Sequence, residues 1–534
     1  MAGRLRRVQW AALAAAGLVA LAACGGGGGG GGGDATGGGA KDTLVVDTAF
    51  LLKSADPARS FETTGSIIDH VMYDTLLTFD GSDATNPKPL VAEKFEASAD
   101  GKTFTFTLRD DVTFGDGTKL TSKDVVYSYN RVKNVKGNPS FLLEGVTTTA
   151  PDAKTVVLTS EKPNPGLPYI IPNPALGIVN SAKVAAAGGN DQPGADQADK
   201  AEAALNKESM GTGPYKLESY DVQSEVVLAA NPTYWGPNKP TYQRIVIRNT
   251  DASVQKVNVQ KGDAQLVLDL SADQSQGLAS DSVKVDATAS KTLFYLAVNA
   301  NPEVSATTSN KDFLEAVRYG IDYDGLVQLG GTGSQQSAGV VPDGFLGALA
   351  KDKAVKRDVA RAKAALARSG VANPSIKISY ASDLPVAGIA IGDLATRVQE
   401  NLKEVGITVE LAPSPAATSL DAFRSGKEQG ALWFWYPDYP DPSDYLVYLP
   451  GGNLGKRAGW NEGADAGLTE LGAQAASEMD KDKRAALYQQ LQQQLNERGP
   501  FLPLFNPSQV FAYSSSVSGV AYHSAWTIDL ADLR

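Results

Sequence analysis

The sequence predicts an α/β protein of two or three domains, with helices covering a mainly parallel sheet. Three observations carry this expectation. The chain has 534 residues, too many for one hydrophobic core. Hydrophobic residues make up 42% and charged residues 20%, the balance of a globular protein. Strand and helix patterns alternate through the second half, whereas the first half is richer in strands. The formal charge of −11 argues against nucleic acid, which calls for a basic stripe.

The chain starts with a targeting pattern. Arg4, Arg6 and Arg7 precede an apolar run from Trp10 to Ala23, shorter than the roughly 20 residues that span a bilayer. The run ends in Leu21-Ala22-Ala23-Cys24, which resembles the lipobox of bacterial lipoproteins. Cys24, the sole cysteine, is then the acylated first residue of the mature chain, and no disulfide can form. Gly25–Gly33 and Gly37–Gly39 read as a flexible tether, and residues 1–23 as the signal peptide.

From Thr43 the pattern is globular. Thr43–Val46 is a short strand, and "KTFTFTL" at 102–108 alternates as a half-buried strand must. Thr121 with Asp124 three residues on caps a helix through "VVYSYNRV". Thr155–Thr159 and Glu225–Ala229 are further strands, and the polar, glycine-rich Gly188–Lys200 is a surface insertion. Phe313–Leu329 reads as a helix broken near Gly320, and Arg357–Arg368 as a helix closed by Gly370. Leu394, Val398, Leu402 and Val405 line one helix face, ended by Gly406 and followed by the strand "ITVEL". Lys481–Arg498 is the last strong helix. Strands at Gln509–Tyr513 and Val517–Tyr522 follow it, and such a tail returns to an earlier sheet.

Catalytic signatures are sparse. The two histidines, His70 and His523, lie far apart in sequence, and neither a G-x-S-x-G elbow nor H-E-x-x-H occurs. The glycine run lacks the Lys-Ser/Thr of a phosphate loop. No cofactor, metal site or enzymatic activity is expected. "WFWYPDYPDP" at 433–442 is unusual: five aromatic residues, three prolines and two carboxylates in ten residues. Its prolines forbid a regular helix or central strand. Asp438, Asp441 and Asp444 sit three apart, but Pro440 and Pro442 keep them off one helical face, and their spacing is not that of a calcium loop.

An ordered series of blocks resembles one family, the family 5 extracellular solute-binding proteins, peptide receptors of ABC importers. The series begins with "DPARSFETTGSIIDHVMYDTLLTFD" and "PLVAEKFEASADGKTFTFTLRDDVTFGDGTKLTSKDVVYSYNRV". It continues through "GTGPYKLESY", "NPTYWG", "LAVNANPE" and "DFLEAVRYGIDYDGLV". It closes with "VQENLKEVGITVEL" and "FRSGKEQGALWFWYPDYPDP". The resemblance implies a two-lobed, type II periplasmic-binding-protein fold with an extra subdomain in the first lobe. The boundaries it implies are a tether at 24–42, lobe I at 43–298 with a subdomain at about 83–210, lobe II at 299–504, and a return to lobe I at 505–534.

It also implies a site. Asp438 occupies the position whose aspartate holds a ligand's α-ammonium group in oligopeptide-binding relatives. Phe434, Trp435 and Tyr436 would cover apolar side chains or stack on a cation. Tyr439 and Asp441 read as turn residues. Phe61, Thr63 and Thr64 fall where relatives offer an extended edge to the peptide backbone. Here "FETT" replaces the family's usual glycine and proline. Phe141 is a candidate cleft aromatic, Arg457 a candidate partner for a ligand carboxylate, and "GTGPY" at 211–215 a structural turn. The implied partners are a short peptide or other small solute, the permease subunits and, through Cys24, the outer face of the cell membrane, with a monomeric receptor. A non-peptide solute (sugar, opine-like compound or metal chelate), a lipoprotein adaptor for a protein partner and a carboxylate-dependent hydrolase are the alternatives.

Overall fold

The computed structural model describes residues 42–237 and 239–534. The signal peptide, Cys24 and the glycine tether lie outside the described residues.

Two large sheets organise the chain. The first has seven strands in the order Val283–Ala289, Ser508–Ser514, Leu266–Val267, Thr43–Thr48, Arg244–Asn249, Glu225–Ala230 and Tyr215–Tyr220. The second has six, in the order Gln335–Gln336, Phe501–Asn506, Leu293–Val298, Gly430–Trp435, Ser375–Ala381 and Thr408–Ser414. A four-stranded antiparallel sheet between Ala92 and Ser160 forms a separate layer with its own core around Phe104, Phe106, Val125 and Tyr129. A hairpin, Leu77–Asp80 with Asp83–Pro89, stands beside it.

Local chemistry explains the elements that frame the site. Thr121 and Asp124 form a capping box at the head of Ser122–Val135. Ile391–Val405 buries Leu394, Val398, Leu402 and Val405 and stops at Gly406, whose φ of 105° suits glycine. Asp322 separates Lys311–Gly320 from Tyr323–Leu329 by capping the second helix. The Thr103–Leu108 strand alternates buried and half-buried residues as its sequence alternates.

The mainly parallel sheet expected from the sequence is corrected: both large sheets are mixed. Parallel pairs are confined to Thr43–Thr48 with its two neighbours and to Ser375–Ala381 with its two. The reason is the connection between lobes. The chain enters the second sheet through Leu293–Val298 and leaves it through Phe501–Asn506, so these neighbours run antiparallel. The crossings fall at Ser290–Thr292 and at Pro507, a few residues away from the expected 299 and 504. Ser290 N donates to Pro507 O at 2.8 Å, and Asn506 Nδ2 to Thr292 O at 2.8 Å, which ties the two crossing segments together.

The tail does return to the first sheet, through Ser508–Ser514. Val517–Tyr522 is irregular rather than a strand. Its neighbourhood brings the two distant histidines together: His70 and His523 stack on Trp526, each with ring centroids 3.8 Å away. The Gly188–Lys200 insertion is largely exposed, yet Asp199 is buried and pairs with Arg131, which Asp56 also grips. No helix among the described residues is long and apolar enough to cross a membrane.

Candidate functional site

The 433–442 segment begins as the end of a central strand. Gly430–Trp435 pairs with Leu293–Val298, so Phe434 lies opposite Phe294 on one face while Trp433 and Trp435 occupy the other. Phe434 packs edge-on against Phe294 at 6.3 Å and against Tyr436 at 5.3 Å. Tyr436 is 46% exposed. Desolvation raises its pKa above the usual tyrosine range, and Tyr522 and the Asp269 carboxylate of the first lobe lie near its hydroxyl. An aromatic ring thus projects from the second lobe toward the first.

After Trp435 the prolines turn the chain into a 3-10 helix, Pro442–Tyr448, capped by the Asp441 side chain. The three aspartates then take different environments. Asp441 is fully buried and chelated by Arg484, itself 2% exposed, at 2.6 and 2.7 Å. That bidentate pair is internally neutral and holds the turn. Asp444, 3% exposed, accepts at Oδ2 from Trp435 Nε1 and from the Asp438 amide, both at 3.1 Å. Asp438 is different. Among the described residues no lysine, arginine or histidine nitrogen lies within 4.0 Å of its carboxylate. Burial pushes its pKa up to about 7, and a hydrogen bond with Asp444 only partly opposes this. A carboxyl so placed attracts any cation that can reach it.

The first lobe meets this loop directly. Asn173 Nδ2 donates to the Asp438 carbonyl at 2.9 Å. Gly166 sits so close that a Cβ there would lie 2.9 Å from Ser443 Oγ and 3.0 Å from Asp441 Oδ1. Tyr439 packs against the core of the four-stranded layer, which agrees with its reading as a turn residue. The loop is therefore held between the lobes rather than facing bulk water.

The other expected residues lie elsewhere. Phe61 and Phe141 meet each other, edge to face at 5.4 Å, and Phe141 is exposed on its outer side. The extended edge expected at 61–64 is corrected: Glu62 is the last extended residue, and Thr63 and Thr64 open the helix Thr63–Met72. Thr64 is buried and its Oγ1 accepts from Leu51 N at 3.4 Å, so strand addition has no continuous backbone edge there. Arg457 ends a short helix and lies 5.8 Å over the Phe423 ring, which meets Trp433 at a tilt of 40°. That is the opposite face of the strand from Phe434 and Tyr436. Burial lowers its pKa, and it makes no ion pair among the described residues. Asn173 and Arg484 complete the loop without any signal in their own local sequence, whereas Asp444 was marked by its spacing from Asp438 and Asp441.

A cavity of about 810 Å³ opens beside the crossing segments, lined by Asp83, Asp286, Lys291, Gln335, Phe345 and Tyr522 among others. That volume suits a small solute. None of the expected site residues lines it. Tyr522 links the two regions, since it lines the cavity and lies near the Tyr436 hydroxyl. Asp438, whose carboxyl has no cationic partner among the described residues, does not line this cavity. The cavity wall mixes charges of both signs.

The family model for bacterial extracellular solute-binding proteins, family 5, matches residues 86–457. The chain belongs to this family. It is 27% identical over 495 residues to a probable D,D-dipeptide-binding periplasmic protein, DdpA, of Escherichia coli, spanning 90% of this chain and 92% of that protein. Among solved structures it is similar to the substrate-binding protein CtaP of Listeria monocytogenes, with a TM-score of 0.80, 18% identity, and 92% and 98% of the two chains covered. It is also similar to the periplasmic binding protein DppA of Helicobacter pylori in complex with the peptide STSA. There the TM-score is 0.74 and the identity 22%, with 92% and 96% covered. These likenesses establish the two-lobed fold of family 5, whose members bind solutes outside the cytoplasm.

Proposed function

We propose that this protein is the capture subunit of an ABC importer, which closes two lobes around a short peptide or another amine-bearing solute and hands it to a membrane permease. Cys24 anchors it by lipid to the outer face of the membrane, and no chemical step occurs. One observation carries the reading. Asp438 presents a carboxyl without a cationic partner at a loop that the first lobe grips through Asn173. An incoming ammonium group supplies the missing partner, and a charge pair in a water-poor cleft is strong when hydrogen-bonded. Phe434 and Tyr436 offer apolar cover beside it. The names of the relatives, peptide binders among them, support the same solute class.

Isothermal calorimetry tests this with the dipeptide Ala-Leu and its N-acetylated form. The free amine binds and the acetylated peptide does not. Asp438→Asn weakens Ala-Leu by roughly 2–5 kcal/mol. Equal affinity of the two peptides, or an unchanged D438N, overturns the assignment.

A further inference from the structure

We propose that Lys291 is a specificity-determining residue, whose ammonium group receives the carboxylate end of a peptide held by its amine at Asp438, so that the solute is a short peptide with both ends free. The inference rests on the reading of Asp438 as the cation acceptor.

Lys291 lies where the chain crosses from the first sheet to the second, two residues before Leu293–Val298. It is half-buried, and its Nζ stands in the wall of the 810 Å³ cavity, 3.4 Å from where a Cβ on Gly344 would lie. One of its N–H groups goes to the Asp343 carbonyl at 2.6 Å, which leaves the others for a ligand. Among the described residues no carboxylate lies within 4.0 Å of it. Asp343 turns its own carboxylate to Lys351, at 3.7 Å. Desolvation lowers the Lys291 pKa, as it does for an ammonium group short of counter-charge.

The two carboxylates of the cavity wall do not supply that charge. Asp286 accepts from the Tyr513 hydroxyl at 2.7 Å. Asp83 Oδ1 accepts from the amide and the hydroxyl of Thr85, at 2.8 and 2.6 Å. Both aspartates are exposed, so water and salt screen them more than they screen the half-buried ammonium.

The two unpaired poles leave the same end of one strand pair. Leu293 pairs with Trp435 at the end of the central ladder. Lys291 lies two residues before that rung, and Asp438 three residues after it. Tyr522 stands between them. Its hydroxyl accepts from Lys291 N at 3.2 Å and lies near the hydroxyl of Tyr436, two residues before Asp438. With about 3.8 Å per chain step and about 5 Å across the rung, the two Cα atoms are at most about 24 Å apart. The side chains shorten the gap, and a peptide of a few residues, at about 3.5 Å each, spans the rest. Arg457 is no rival for the carboxylate, since it lies over Phe423 on the other face of the strand.

Isothermal calorimetry on the full chain tests this with di-, tri- and tetra-alanine and their C-terminal amides. At the length that wild type binds best, the amide binds about tenfold or more weaker than the acid. Lys291→Met weakens the acid to the level of the amide, and Lys291→Arg, which keeps the charge, retains the preference. Wild type that binds acid and amide alike overturns the inference and leaves the Asp438 reading intact; no folding defect can mimic that result. A Lys291→Met variant that melts like wild type and still prefers the acid overturns it as well. Asp438→Asn weakens acid and amide by the same factor. An unchanged Asp438→Asn, beside a Lys291→Met that has lost the preference, sinks the Asp438 reading alone. If no peptide of the series binds, both fall.

Discussion

The loop holds three aspartates, and their environments predict opposite consequences for the same substitution. Asp441→Asn removes the charge that neutralises Arg484. Both partners are buried and joined by bonds of 2.6 and 2.7 Å, so the variant leaves a guanidinium in the core without its counter-charge. Breaking such a pair costs about 3–5 kcal/mol. The amide oxygen of asparagine still accepts one bond, which places the expected loss near the lower bound, about 3 kcal/mol. The assay is guanidinium chloride unfolding followed by tryptophan fluorescence, because Trp433 and Trp435 report on the lobe that holds the pair. Asp438→Asn in the same assay loses no stability, since no partner is orphaned, and it weakens dipeptide binding by roughly 2–5 kcal/mol. A midpoint that moves for Asp438→Asn but stays fixed for Asp441→Asn refutes the division of roles between the two residues.

Further outcomes follow from the same contacts. Asp438 has a folded-state pKa of about 7, above the 3.8 of a free aspartate. The folded state therefore holds the extra proton between those values, and ligand-free stability falls as pH rises from about 4 to 7. Thermal melts across that window show a decline that Asp438→Asn makes shallower, the other raised carboxyls, Asp69 and Asp444 among them, supplying the rest. Arg131→Met leaves two buried carboxylates, Asp56 and Asp199, with Arg59 as their one remaining cation and destabilises the protein by about 3 kcal/mol in chemical unfolding. Gly213→Ala pushes a methyl group to within 2.4 Å of the Val71 carbonyl, and the overpacking costs roughly 1–3 kcal/mol by the same measure. Asn173→Ala removes the first-lobe bond to the Asp438 carbonyl. Dipeptide affinity then drops by roughly 0.5–1.5 kcal/mol, and small-angle scattering of the free protein shows a larger radius.

The fold was largely legible where periodicity is strong. Leu394, Val398, Leu402 and Val405 with Gly406, and Lys481–Arg498, are written in the sequence as they stand in space. The "GTGPY" turn was legible as structure, and its cause is now visible: a side chain at Gly211 or Gly213 would strike the backbone of Val71 and Met72. Strand direction was not legible, because alternation of helix and strand does not record that the chain crosses between sheets twice. Phe61–Thr64 misled because its extended edge was carried over from relatives, whereas here Glu62 is extended and a helix opens at Thr63. In the candidate site, Asp438 and its aromatic neighbours could be named because they lie together. Arg484 lies 43 residues beyond Asp441, and Asn173 lies 265 residues before Asp438. Only the folded chain brings them to the loop. The difference between Asp438, Asp441 and Asp444 is one of partners, and partners are a tertiary property.

The most direct measurement is a crystal structure of the protein with the solute that copurifies with it. The account predicts a cationic nitrogen of that solute roughly 2.7–2.9 Å from a carboxylate oxygen of Asp438, with both lobes in contact with the solute. A solute bound elsewhere, with Asp438 free of any cation, would contradict it.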